Sequence, residues 1–283
     1  METPIRIIGL VVPDLLDSHF AEVAKGVARI LRPHGYTLLI SNSEGDAASE
    51  QQVVGLLLGC PQVEGLILAS AQAPQDIGLF KLIEKHRLPY VLIDRTFPGL
   101  DANYVGANDL EIGALGAEHL IARGCRHIAH IHGPQTSSGI GRSKGYSSAL
   151  SRHGLKLAPG YIASGGSDDA AGYQAMRKLL TVNPRLDGVV CFNDALAVGA
   201  IKAILEAGLE VPYDLEVLGA GNLHYSGVLR VPLSTIDLNS PLVGQRAAEL
   251  LLRLKESEGP RPPEQILIPF KLVPRESSKA VCV

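Results

Sequence analysis

Residues 186–222, LDGVVCFNDALAVGAIKAILEAGLEVPYDLEVLGAGN, switch twice between two apolar periodicities, and this constrains the fold more than any other stretch. The short continuous run Val189, Val190, Cys191, Phe192 reads as a strand that stops at Asn193-Asp194. Leu196, Val198, Ile201, Ile204 and Leu205 then recur at helical spacing, and Gly208 closes the helix. A second apolar run over 215–218 ends at Gly219-Ala220-Gly221-Asn222. Strand, helix, strand in that order predicts parallel pairing, which brings both strand ends to one edge of a sheet, where ligands bind in open α/β folds. Asn193, Asp194 and the Gly221-Asn222 turn are therefore expected to face a common crevice.

The same alternation runs along the chain. Strands are predicted over 5–12, 36–40, 66–68 and 90–93, separated by amphipathic helices: the first carries Phe20, Val23, Val27 and Leu31 on one face, with Asp17 or Ser18 as its cap, and the second starts at Asp46 or Ser49. A short strand at 104–107 precedes a helix bearing Leu110, Leu115, Leu120 and Ile121. The rhythm restarts at 128–131, followed by a polar loop over 133–141, a helix over 142–152, and a strand and helix leading into the central stretch. A strand near 234–236, a helix over 242–254 and short apolar segments at 266–268 and 272–273 complete it, with Gly259 to Pro263 as a turn-forming connector. This is an α/β chain of two structurally similar doubly wound halves, and 283 residues exceed one comfortable core. A formal net charge of -3 argues against a nucleic-acid surface within these residues. Cys60, Cys125, Cys191 and Cys282 lie far apart without a CxxC, which fits a reducing compartment. No secretory signal or membrane-length apolar run is visible, so a cytoplasmic protein with no membrane partner is expected.

The segment FNDALAVGAIKAILEAGLEVPYDLEVLG resembles the lactose/galactose repressor family, whose regulatory core is similar in fold to periplasmic sugar-binding proteins. The similarity extends through IGLVVPDLLDSHFAEVAKGV, GYTLLISNSEGD, VEGLILAS, LPYVLIDRTFPGLD, LGAEHLIARGCRHIAHIHGP, GRSKGYSSAL, VPLSTI and LVPRES, in order and at consistent spacing. The resemblance implies a type I periplasmic-binding-protein-like fold of two lobes joined by three crossovers, near Arg123, 236–239 and Ile268-Pro269. The lobes are then 5–123 plus 240–268 and 124–239 plus 269–283. It also implies a small sugar-like effector in the cleft between lobes, a homodimer with Arg95 and the helix over 110–123 near the partner subunit, and operator DNA bound through a helix-turn-helix headpiece that is absent before Ile5. A transport solute-binding protein is the alternative on the same fold.

The ligand residues expected are Asp14, His19 and Phe20 at the first strand's end, then Ser138 and Arg142, then Asn193, Asn222 and Asp237. An aromatic face and fixed polar groups suit a sugar, and a guanidinium offers several fixed donors. Asn193 is assigned to the ligand and Asp194 to capping the helix beside it. Read as a helix-start residue that reaches the ligand, Arg142 is expected to matter for binding and hardly at all for thermal stability. The sequence departs from the family at Gly221, where an effector-holding aspartate is usual, and at Ser167 and Ala107, so the pocket is less acidic than the type. Gly141 to Gly145 satisfies GxSxG around Ser143, but no strand runs directly into it, so no catalytic residue and no enzyme activity are expected. His127, His130 and His132 beside Cys125 lack the partners of a closed zinc site, so neither a metal nor a cofactor is expected.

Overall fold

A computed structural model of the chain describes residues 5–256, 259 and 261–278. Cys282, Pro260 of the predicted connector and the final five residues of the expected second lobe lie outside the described residues. The chain divides into two units, Met1–Gly106 with Ser240–Ile268, and Ala107–Asn239 with Pro269–Val283.

The first unit contains β1 (Arg6–Val12), α1 (Ser18–Leu31), β2 (Tyr36–Asn42), α2 (Ala47–Leu58), β3 (Val63–Leu68), α3 (Gly78–Lys85), β4 (Tyr90–Ile93) and β5 (Tyr104–Gly106). The second adds α4 (Asp109–Ala122), β6 (Ile128–His132), α5 (Ser137–Arg152), β7 (Ile162–Ser164), α6 (Asp169–Val182), β8 (Gly188–Cys191), α7 (Asp194–Glu206), β9 (Glu216–Gly221) and β10 (Ser234–Asp237). The chain then returns to the first unit with α8 (Ser240–Glu256) and β11 (Gln265–Leu267), and ends in the second with β12 (Lys271–Val273).

Each unit has its own six-stranded sheet, ordered β11-β5-β4-β3-β1-β2 in the first and β12-β10-β9-β8-β6-β7 in the second. The order reverses between β1 and β3, and again between β6 and β8, so each sheet has its own switch point at its carboxyl edge. Every pairing is parallel except that of β12, which runs antiparallel to β10. In both sheets apolar residues of alternate parity feed opposite layers. Ile8, Leu10 and Val12 pack with Val23, Val27 and Leu31 of α1 and Val243, Ala247 and Leu251 of α8. Val11, Leu66 and Leu68 face α2 and α3 through Val54, Leu57, Phe80 and Ile83. In the second sheet, Ile131, Val189 and Val217 face α6 and α7, while Val190, Leu218 and Ile236 face α4 and α5. Burial on both faces is why these strands read as continuous apolar runs rather than alternating ones.

Helix pairs are drawn to backbone contact by glycines. A Cβ on Gly113 of α4 would lie 1.9 Å from the Arg142 carbonyl oxygen of α5, and one on Gly145 of α5 would lie 1.9 Å from the Leu110 carbonyl oxygen of α4. This reciprocal packing corrects the expected first boundary. The helix predicted over 110–123 belongs to the second unit, and the chain changes units at Gly106/Ala107 rather than near Arg123. The helix after β6 is also longer than predicted. Thr136 caps it by accepting from the Gly139 N–H at 3.3 Å, so most of the expected 133–141 loop is helical. Strand β9 likewise runs through Gly221 instead of stopping at Leu218.

Two buried ionisable groups of the second unit pull stability in opposite directions with pH. At the amino end of β9, burial raises Glu216 to about 7; its Oε1 lies 3.7 Å from Arg123 Nε, and its Oε2 is sealed without a partner among the described residues. A carboxyl raised above its unfolded value of 4.5 favours folding fully below that value, and the contribution is lost as pH rises through 7. Burial lowers His130 from 6.5 to about 4, so its contribution is lost as pH falls across that window. Glu216→Gln removes only the first effect. Chemical denaturation is expected to find the variant more stable than wild type by about 1–2 kcal/mol at pH 8 and nearly equal to it at pH 4.5. An identical difference at both pH values would mean that Glu216 does not titrate in this range.

Candidate functional site

At the carboxyl edge of the second sheet, five of the predicted residues come together. Asn193 follows β8, Asn222 follows β9, Asp237 ends β10, and α5 carries Ser138 and Arg142. Arg142 is 8 % exposed. Its Nε donates to Asp109 Oδ1 at 2.8 Å, its Nη1 donates to the Phe192 carbonyl oxygen at 2.7 Å, and the guanidinium lies 4.5 Å from the centre of the Phe192 ring. Nη2 bonds to no described residue and is not among the sealed atoms, so one face of the fork is left for another acceptor. Ser138 is buried, with its hydroxyl 3.0 Å from that of Thr136. Arg142 therefore sits in the second turn of α5, held by α4 and β8, rather than at a helix start.

Asn193 and Asp194 trade their predicted tasks in part. Asn193 is the cap of α7, its Oδ1 accepting from the Leu196 N–H at 2.9 Å while its Nδ2 donates to the Ser167 carbonyl oxygen at 2.8 Å. Both ends of the amide are thus committed to the scaffold. Asp194 is scaffold too, though not as a cap. Fully buried, it accepts from Ser226 Oγ at 2.6 Å, from the Leu223 N–H at 3.0 Å and from Thr235 Oγ1. Burial raises its carboxyl, and these donors oppose the shift. Asn222 takes a positive φ of 51°, donates its N–H to Thr235 Oγ1 and accepts from Arg275 Nη2 at 2.6 Å. Asp237 Oδ1 accepts from the Asn239 N–H at 2.9 Å.

At the carboxyl edge of the first sheet, Asp14 Oδ1 accepts from the Leu16 N–H at 2.8 Å in a turn. His19 uses both ring nitrogens, Nδ1 with Ser240 Oγ at 2.8 Å and Nε2 with Asp94 Oδ2 at 2.6 Å. It ties α1, the end of β4 and the start of α8 together. Phe20, 7 % exposed, belongs to the apolar cluster that α1 shares with α8, and its ring lies 4.9 Å from that of His19. Asp17 caps α1, and burial raises its carboxyl.

The residues that sequence reasoning missed are partners of those it found: Asp109, Phe192, Thr136 and Arg275 in the second unit, Asp94 and Ser240 in the first. Phe192 alone carried a signal, as an aromatic at a strand end. Ser143 lies within α5, so the GxSxG match forms no nucleophile elbow. His130 is buried, with Nδ1 2.9 Å from the Val190 carbonyl oxygen and its ring stacked on Tyr146.

Residues 117–278 match the family described as periplasmic binding protein-like domain. The chain is 33% identical over 261 residues to the HTH-type transcriptional repressor PurR of Aliivibrio fischeri (strain MJ11), covering 90% of this chain and 77% of the repressor. It belongs to the lactose/galactose repressor family, as an effector-binding core. The ribose operon repressor of Haemophilus influenzae is a similar member, 34% identical over 88% of this chain and 74% of its own length. Among solved structures, the transcriptional regulator CelR-cellobiose complex superposes with a TM-score of 0.86 at 26% identity, over 97% of this chain and 86% of that one. These members of the family are transcription regulators and not enzymes. Among the described residues, no helix is long and apolar enough to cross a membrane.

Proposed function

We propose that this core binds a small polar effector, a sugar or sugar derivative, at the carboxyl strand edges, and that binding adjusts operator affinity in a cytoplasmic homodimer through a DNA-binding headpiece. The observation that carries the reading is Arg142: a guanidinium clamped by Asp109 and Phe192, with one nitrogen free of any partner among the described residues. A preorganised fork of this kind holds a hydroxyl pair or carboxylate without ordering cost at the moment of binding. Asn222 and Asp237 stand on the adjoining strand ends. The related repressors favour regulation over transport. Coupling of about 1–3 kcal/mol between effector and DNA is typical of such regulators.

The dimer has support in the first unit. Strand β2 is an edge strand on which Leu39 and Ile40 are both about 40 % exposed, on opposite faces. Unpaired apolar edges invite pairing with another chain. Arg95, which the resemblance placed near a partner subunit, donates Nη1 to the Ser70 carbonyl oxygen at 2.6 Å within its own unit.

A melting-shift screen with ribose, cellobiose, nucleosides and purine bases tests the effector. One compound at about a hundred times its dissociation constant is expected to stabilise by about 2.7 kcal/mol, a shift of several degrees. If no sugar, nucleoside or base moves the transition, the sensor reading fails.

A further inference from the structure

At the amino ends of the first unit's strands, opposite the edge that carries Asp14 and His19, lies an open, solvent-facing depression of about 560 Å3. That volume lies within the range of small-molecule sites. Its position follows from the topology. Glu64 is near the start of β3, Tyr90 begins β4, Asn103 precedes β5, and Leu254 and Lys255 close α8. Strands β3 and β4 run from it to the carboxyl edge, about 10–13 Å away, so it is separate from the effector site proposed above.

The lining combines apolar and cationic groups. Leu88, Pro89 and Leu254 line it with the Tyr90 ring, whose hydroxyl is committed to Glu84 Oε1 at 3.0 Å. Arg87 and Arg261, both exposed, line it too, and neither has a hydrogen bond to a described residue. Arg87 is held just past the end of α3 with a positive φ of 54°. The carboxylate of Glu64 is already answered twice, by Arg6 and by Lys255, which hold it down to about 2. Asn103 Oδ1 accepts from the Glu264 N–H at 3.0 Å, which leaves its Nδ2 as a donor.

Among the lining residues three cations (Arg87, Lys255, Arg261) stand against two carboxylates (Glu64, Glu84), a surplus of one positive charge in a chain whose formal net charge is -3. Two exposed guanidiniums without a hydrogen-bond partner among the described residues, and an amide donor, beside apolar side chains match an oxoanion carried on a hydrophobic body. We propose that this depression is a second ligand site, for a small molecule that joins an apolar ring to a phosphate or carboxylate group.

The test is an amide NMR titration of the chain with phenyl phosphate, benzoate and inorganic phosphate in parallel. Phenyl phosphate or benzoate is expected to give saturable shifts at Arg87, Leu88 and Asn103, and the tighter of the two assigns the anion. The double variant Arg87→Gln/Arg261→Gln, both positions being exposed, is expected to keep its fold and melting temperature and to weaken that binding by at least about tenfold. Shifts that fail to saturate with either aromatic anion, or that persist unchanged in the double variant, would overturn the site. Equal affinity for inorganic phosphate would overturn the apolar half of the proposal.

Discussion

Asp194→Ala is expected to lower stability by about 4 kcal/mol, which for a unit of this size is a fall in melting temperature of about 10 °C. The carboxylate is fully buried and takes hydrogen bonds from Ser226 Oγ, the Leu223 N–H and Thr235 Oγ1, so its loss leaves three donors without this acceptor where water does not reach. It also empties space built around it. A Cβ on Gly219 would lie 2.4 Å from Asp194 Oδ1, so glycine there makes room for the carboxylate. The start of α7, the β9 strand and the connection to β10 are thereby joined at one side chain. Asp194→Asn keeps the size and one acceptor oxygen, and the pressure of burial towards the neutral acid means that losing the charge itself is tolerated. That variant is expected to cost about half as much. Calorimetry on both variants checks the claim; a loss below about 1 kcal/mol for the alanine variant would show that the donors find other partners.

How far the chain could be read in advance varied with the kind of signal. Strands buried on both faces and helices with one apolar face announce themselves by period, and the caps were legible to within a choice of two, Asp17 or Ser18 and Asp46 or Ser49, of which the aspartate caps in each case. The start of α5 was not. Its residues SSGIGRSKG lack apolar periodicity because glycines there serve backbone contact: a Cβ on Gly145 would lie 1.9 Å from the Leu110 carbonyl oxygen. Period also says which face of a helix is buried and not which sheet buries it, so α4 went to the wrong unit. The partners of His19 are 75 and 221 residues away in sequence, at Asp94 and Ser240, and no local pattern joins positions that distant. Capping by Asn193 instead of Asp194 is a displacement of one residue, which composition alone does not resolve because both side chains cap well.

Arg142→Ala is expected to reduce effector binding by more than about tenfold and, against the reading of Arg142 as a helix-start residue, also to destabilise the unbound protein by about 2–4 kcal/mol. The second effect follows from the contacts. Removing the side chain takes the ion-pair partner from Asp109, whose side chain is 14% exposed, frees the Phe192 carbonyl oxygen and uncovers one face of the Phe192 ring. Because α5 and α4 touch backbone to backbone at Gly113 and Gly145, neither helix shifts readily to fill the space. Arg142→Lys separates the two roles. An ammonium restores charge beside Asp109 and cannot reproduce the fork, so most of the stability is expected to return while effector binding stays weak. Thermal unfolding without ligand, followed by calorimetric titration with whichever compound the melting screen selects, measures both quantities on the same samples. An alanine variant with an unchanged melting temperature would contradict the wedged geometry, whereas full binding by the lysine variant would show that the effector needs a cation at this position and not a planar one.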